Sequence, residues 1–277
     1  MKIRRRSLPE GWYPSSADAV RARVEEFLSA CPPEPEGSAV AVVAPHAGWG
    51  YSGALAAAAA ASLRRAAETV VIVGGHLGPR ENVYAAFEEA LDTPLGAART
   101  DTELLGAVRG RIAVAEDRIA DNTVEVHLPL VRVLFPEARV VAFRAPASQL
   151  ARALGVAVHL AARELGRSVV LLGSTDLTHY GPSYDFEPEG RGEAAARWVR
   201  EVNDRRFIEA VVALDGEEAL RRALRERSAC SPGAAVAAIA FARAGGAANA
   251  RLLHYRTSLD VAPASSFVGY AAVLLGA

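Results

Sequence analysis

SAVAVVA at Ser38–Ala44, GALAAAAAASLRRAA at Gly53–Ala67 and TVVIV at Thr69–Val73 read together as strand, helix, strand. The outer two are short, apolar and rich in β-branched residues, which suits buried strands. The middle segment is Ala-rich and long enough for a helix, with Ser52 placed to cap it. Such a run implies parallel strands joined by a helical crossover. The pattern recurs with ARVVAF at Ala138–Phe143 and SVVLL at Ser168–Leu172, separated by a helix over Ser148–Leu165. Strands without polar alternation are covered on both faces. Upstream, a first helix over Ala17–Ala30 leads into the Pro-rich connection Cys31–Gly37, too short to divide domains. Downstream, Arg191–Ala213 and Gly216–Arg227 read as charged surface helices and Ser231–Ala244 as a buried one. Arg251–Tyr255 and Ser266–Leu275 read as closing strands. The expected fold is a single α/β domain over residues 1–277, with a central, mostly parallel sheet flanked by helices.

The composition narrows the function classes. The chain has 277 residues, a formal net charge of -1 and 51% hydrophobic residues. A nucleic-acid binder would carry a basic excess. A disordered chain would carry fewer apolar residues. The basic start, Met1–Arg6, is followed by Ser7-Leu8-Pro9-Glu10 rather than an apolar core, so no signal peptide is read. No apolar run approaches roughly 18 residues, so no membrane span is expected. Cys31 and Cys230 give no disulfide framework. The expected location is the cytoplasm. Lys2 is the sole lysine, Gln149 the sole glutamine and Met1 the sole methionine, a scarcity that fits a heat-adapted source or a coding bias.

Open parallel sheets bind ligands beyond the carboxyl ends of their strands. Here those ends carry Pro45-His46-Ala47-Gly48, Gly74-Gly75-His76 and Gly173-Ser174-Thr175-Asp176-Leu177-Thr178-His179-Tyr180. A single loop histidine is usually a capping or surface residue. Three past neighbouring strands point to a shared site, and neutral imidazole is the commonest metal ligand. Gly48, Gly74 and Gly75 would permit close backbone approach or positive φ. Asp176 and His179, three apart, suit a carboxylate that orients an imidazole for proton transfer, or equally a helix cap with a local hydrogen bond. Cys230 precedes a helix start, where a thiol is acidified into a better ligand, although a small buried hydrophobe is the usual fate of a free cysteine. His127 suits ligand or packing roles equally, and His159, His254 and Cys31 read as structural. P-loop and nucleophile-elbow signatures are absent.

Longer segments carry a family likeness. Ala44–Gly53 (APHAGWGYSG) is similar to the A-P-H-A-G-Y-x-Y-S-G segment of the MEMO family. Thr93-Pro94-Leu95-Gly96 with Asp101, Val124–Pro129 (VEVHLP) and Ser174–Gly181 (STDLTHYG) resemble further family motifs, in family order. Tyr255–Ser258 and Val268–Ala271 resemble its closing strands. The chain departs from the pattern at three places. His76 follows Gly74-Gly75 rather than G-P-[SN], Asp121-Asn122-Thr123 stands where the family often has E-H-S, and Ser231 rather than Gly follows Cys230.

The resemblance implies a fold related to class III extradiol dioxygenases. It implies one transition metal ion, Fe(II) or Cu and less readily Zn, on His46, His76 and Cys230. It implies that Asp176 and His179 share that pocket as acid/base groups. Trp49, Tyr51, Tyr180 and Tyr184 are expected as aromatic walls, with His127 also in the substrate pocket. Bacterial and archaeal members are called AmmeMemoRadiSam system protein B, which implies AMMECR-type and radical SAM proteins as partners. The expected activity is metal-dependent, dioxygenase-like oxidoreduction of a small or protein-derived substrate, with no nucleic-acid or membrane partner and with room for a homo-oligomer. Two other readings stay open: a non-catalytic adaptor with a degenerate pocket, and a Zn-dependent hydrolase.

Overall fold

The computed structural model describes residues 1–34, 37–119 and 121–276. Pro35 and Glu36 of the Pro-rich connection lie outside them. In chain order the elements are β1 (Ile3–Arg4), α1 (Ala17–Ala30), β2 (Ala41–Ala44), α2 (Trp49–Ala61), β3 (Thr69–Gly74), β4 (Tyr84–Ala85), β5 (Ala90–Leu91) and β6 (Ala98–Arg99). There follow α3 (Thr102–Arg109), β7 (Ala115–Glu116), α4 (Asn122–Glu125), α5 (Leu128–Leu134), β8 (Arg139–Arg144), α6 (Gln149–Glu164), β9 (Val169–Ser174) and β10 (His179–Tyr180). The chain closes with α7 (Glu193–Trp198), α8 (Asp204–Val212), α9 (Gly216–Glu226), α10 (Pro232–Ala244), β11 (Ala250–Thr257) and β12 (Phe267–Leu275).

Nine strands form the central sheet in the order β10-β12-β2-β9-β3-β8-β4-β7, with β11 added on β12. Its middle, β2-β9-β3-β8, is parallel, while β12 runs antiparallel to β2 and β4 antiparallel to β8. The sheet is therefore mixed and mostly parallel, flanked by helices, as the sequence implied. A small second sheet, β1-β5-β6, holds the N-terminal strand. The uniform hydrophobicity of the strands has a direct cause. Successive residues of β3 feed opposite cores, Val71 and Val73 facing α6 and α10 while Val70 and Ile72 face α2 and α5.

Two readings shift. Helix α2 begins at Trp49 with Gly48 as its cap, not at Gly53 behind Ser52. Ser52 instead lies inside the first turn and donates its hydroxyl to the Ala47 carbonyl at 3.1 Å. The helix expected over Arg191–Ala213 is α7 and α8 joined by a π-helical stretch, Val199–Asn203. A π turn leaves hydrophobic composition unchanged, so periodicity does not reveal it. Among the described residues, no helix is long and apolar enough to cross a membrane.

Candidate metal centre

Strands β2, β9 and β3 are neighbours in the sheet, and each delivers its histidine at the same end. His46 follows β2, His76 follows β3 and His179 begins β10 just after β9. The turn that presents His76 is shaped by glycine. Gly75 takes φ 109°, and its N–H donates to Thr123 Oγ1 at 2.8 Å. A Cβ on Gly74 would fall 2.1 Å from that oxygen. Thr123, at one of the departures from the family pattern, thus holds the turn. Cys230 arrives from the far end of the chain. Its N–H donates to the Asp176 carbonyl at 3.2 Å, and the Ser231 N–H donates to Thr175 Oγ1 at 3.0 Å.

One ligand atom each from His46, His76 and Cys230 lies within 4.8 Å of the others. His46 Nε2 is 3.3 Å from Cys230 Sγ. A tetrahedral ion with sulfur and imidazole ligands holds two such donors about 3.6 Å apart, so the spacing fits a metal. Burial pulls His46 down to about 4, despite the opposing Asp121 charge, and it also pulls His76 down. Both are therefore neutral imidazoles at neutral pH, the form that ligates metal. Cys230 corrects the sequence reading. Burial, reinforced by the Asp176 charge, pushes the thiol up to about 12, overriding any acidification by the helix start. It needs a cation beside it to become thiolate.

His46 is held from behind. Its Nδ1 is 2.9 Å from Ser174 Oγ, which is also 2.9 Å from His127 Nε2. With Nε2 turned to Cys230, the His46 proton sits on Nδ1 and is donated to Ser174. The single hydroxyl proton of Ser174 then goes to His127 Nε2. His127 is fully buried and, among the described residues, its Nδ1 has no partner. It stands behind His46 and does not line the cavity beside it, where it was expected.

A cavity of about 370 Å³ opens over His46 and His76, which line it with Asp176, His179, Tyr51 and Tyr184. Trp12, Asn122 and Tyr270 also line it. Asn122 donates its amide to the His46 carbonyl at 3.3 Å. Trp49 and Tyr180, expected as walls, are instead core residues. Trp49 donates its indole N–H to the Val126 carbonyl, and Tyr180 donates its hydroxyl to the Gly190 carbonyl. Trp12 and Tyr270 were not singled out, because a loop tryptophan and a strand tyrosine carry no sequence mark of a pocket.

Asp176 accepts the His46 N–H at 2.7 Å. Burial raises its carboxyl to about 6, against the pull of nearby histidines. His179 Nδ1 lies 3.1 Å from the Leu177 carbonyl, so this carbonyl, rather than Asp176, fixes the tautomer and leaves Nε2 free. Burial lowers the His179 pKa, and the Asp176 charge opposes that. Tyr184 meets the His179 ring edge-on at 4.8 Å between centroids. A larger cleft, about 550 Å³, lies beneath the N-terminal strand among Arg4, Asp117 and Arg144, and contains none of these donors.

The sequence profile of the Memo-like protein family matches residues 4–274. A MEMO1 family protein of Thermococcus onnurineus is 30% identical over 98% of this chain and 99% of its own length. Another from Methanopyrus kandleri is 35% identical over 84% of this chain and 82% of its own. The fold is similar to the crystal structure of an uncharacterized protein of Escherichia coli K12, with a TM-score of 0.54 at 14% identity over 84% of this chain and 98% of that one. Motifs, donors and profile agree over nearly the whole length, and the chain belongs to the MEMO1 family.

Proposed function

We propose that the protein is a metal-dependent, dioxygenase-like oxidoreductase in which His46, His76 and Cys230 hold one transition metal ion. The observation that carries this reading is the convergence of the three donor atoms within 4.8 Å, with His46 and His76 lining a walled cavity. When bound, the metal supplies Lewis-acid and redox chemistry towards ligands entering from the cavity. The chain's own groups do the rest. His179, neutral with Nε2 free, takes or gives the substrate proton. Asp176 favours the imidazolium formed when His179 takes that proton, and its charge acts through space rather than through a direct hydrogen bond. Tyr51, Tyr184 and Tyr270 enclose the substrate and limit water. The soft Cys230 sulfur fits Cu or Zn as well as Fe(II), and with Zn it favours a hydrolase as the second reading.

Metal analysis of anaerobically purified protein tests the assignment. About one ion per chain is expected in the wild type, and close to none in His46→Ala, His76→Ala and Cys230→Ser. Unchanged metal in all three variants overturns it. Oxygen uptake with Fe(II) and phenolic substrates separates redox chemistry from hydrolysis.

A further inference from the structure

A second buried polar cluster lies one layer behind His179, where the π-helical stretch meets α8. Asn203 and Asp204 are consecutive polar residues, and both are buried. Asp204 Oδ1 accepts from the Thr178 N–H at 3.0 Å and from the Thr178 hydroxyl, while Oδ2 accepts from the Tyr255 hydroxyl at 2.8 Å. The Asn203 amide donates to Thr178 Oγ1 at 2.8 Å. Every polar side-chain atom of Thr178 is therefore engaged by this pair. On the other side, strand β12 zips the same loop. The Leu177 N–H donates to the Gly269 carbonyl at 2.9 Å, and the Gly269 N–H donates to the Thr178 carbonyl at 3.0 Å. Gly269 is required there, since a Cβ would sit 1.9 Å from Asp204 Oδ2.

A carboxylate buried this completely is costly, and burial raises Asp204 to about 7. Fold stability alone would be served as well by an apolar pair. The cluster grips the residue between Leu177, whose carbonyl sets the His179 tautomer, and His179 itself. We propose that Asp204 is a positioning residue that, through Thr178, fixes the His179 imidazole at the cavity with Nε2 free. The proposal rests on the reading of His179 as the proton-moving group. π turns are often found at functional sites, and this one ends at the residues that make the grip.

Side-chain nitrogen NMR of the intact protein tests it, with the His179 signals assigned from their loss in His179→Gln. In the wild type, His179 should show one tautomer, Nδ1 protonated and Nε2 bare. Thr178→Val keeps the shape but removes the gripped hydroxyl, and Asp204→Ala removes the grip. In both, the two ring nitrogens should move towards tautomer-averaged positions. Asp204→Asn keeps an acceptor for Thr178 and should restore the wild-type signals. If Asp204→Ala does not fold, Thr178→Val decides. Wild-type His179 signals in a folded Thr178→Val overturn the proposal, and so does a failure of Asp204→Asn to restore them. Zn²⁺ titration of the same samples keeps the two readings apart. Zn²⁺ stoichiometry should match the wild type in every variant, and its loss in Thr178→Val would show the grip serving the metal loops instead. A wild type that binds no Zn²⁺ bears on the metal reading, while its His179 spectrum still decides this one.

Discussion

Ser174 has one hydroxyl proton to share between two imidazoles, His46 and His127. Its truncation leaves both ring nitrogens buried without that partner. Outer-shell groups of this kind tune metal affinity by about 10–100-fold. Ser174→Ala should weaken Zn²⁺ binding by that factor in a chelator competition, with the ion-to-protein ratio at saturation unchanged. Asp204 makes a second residue-scale prediction. Its carboxyl is raised by burial to about 7, against about 3.9 in an unfolded chain. Between those values the folded state holds a proton that the unfolded state has released. Asp204 therefore contributes stability that is fully present below about pH 4 and lost as the pH rises through about 7. Buried His46 and His127 bias the slope the other way in the acid range. The test is therefore a difference: wild-type minus Asp204→Asn stability, from urea unfolding, should fall across this window.

Elements meet at Asp101. Its side chain caps α3 by accepting the Leu104 N–H at 3.1 Å, accepts the Thr69 hydroxyl of β3 at 2.5 Å and pairs with Arg167, ahead of β9, at 2.6 Å. Removing one partner of a largely buried pair costs about 3 kcal/mol or more. Asp101→Ala should lower the urea-unfolding free energy by about 3 kcal/mol, and Asp101→Asn, which keeps the cap acceptor, by less. The central strands were legible from sequence because both faces of each are buried, which gives unbroken apolar runs such as Val70–Val73. Helices α6 and α10 were legible to within a residue. Strands β4 to β7 were not, since two-residue strands leave no period to detect. The grouping of His46, His76 and Cys230 was legible from strand-end placement for the two histidines and from the family motifs for Cys230. The wrong aromatic walls came from judging exposure by chain position, whereas Trp49 turns inward against Phe27 with the ring centroids 5.6 Å apart.

At the scale of the whole molecule, the proposed ion joins segments 184 residues apart, His46 and Cys230. A ligand that binds only the folded state at 100 times its Kd adds about 2.7 kcal/mol of stability. For a chain of this length that corresponds to about 4–5 °C in Tm. Zn²⁺ should raise the calorimetric Tm of the wild type by that amount and leave Cys230→Ser unmoved. The order of the strands has its own consequence. Strand β12 bonds to β2, β10 and β11, and all of its residues are buried. Synthesis runs from β2 towards β12, so while the chain is still on the ribosome β2 presents a bare edge beside a sheet that lacks its seal. The unsealed β2 edge is at its most adhesive in that interval, before β12 slides home.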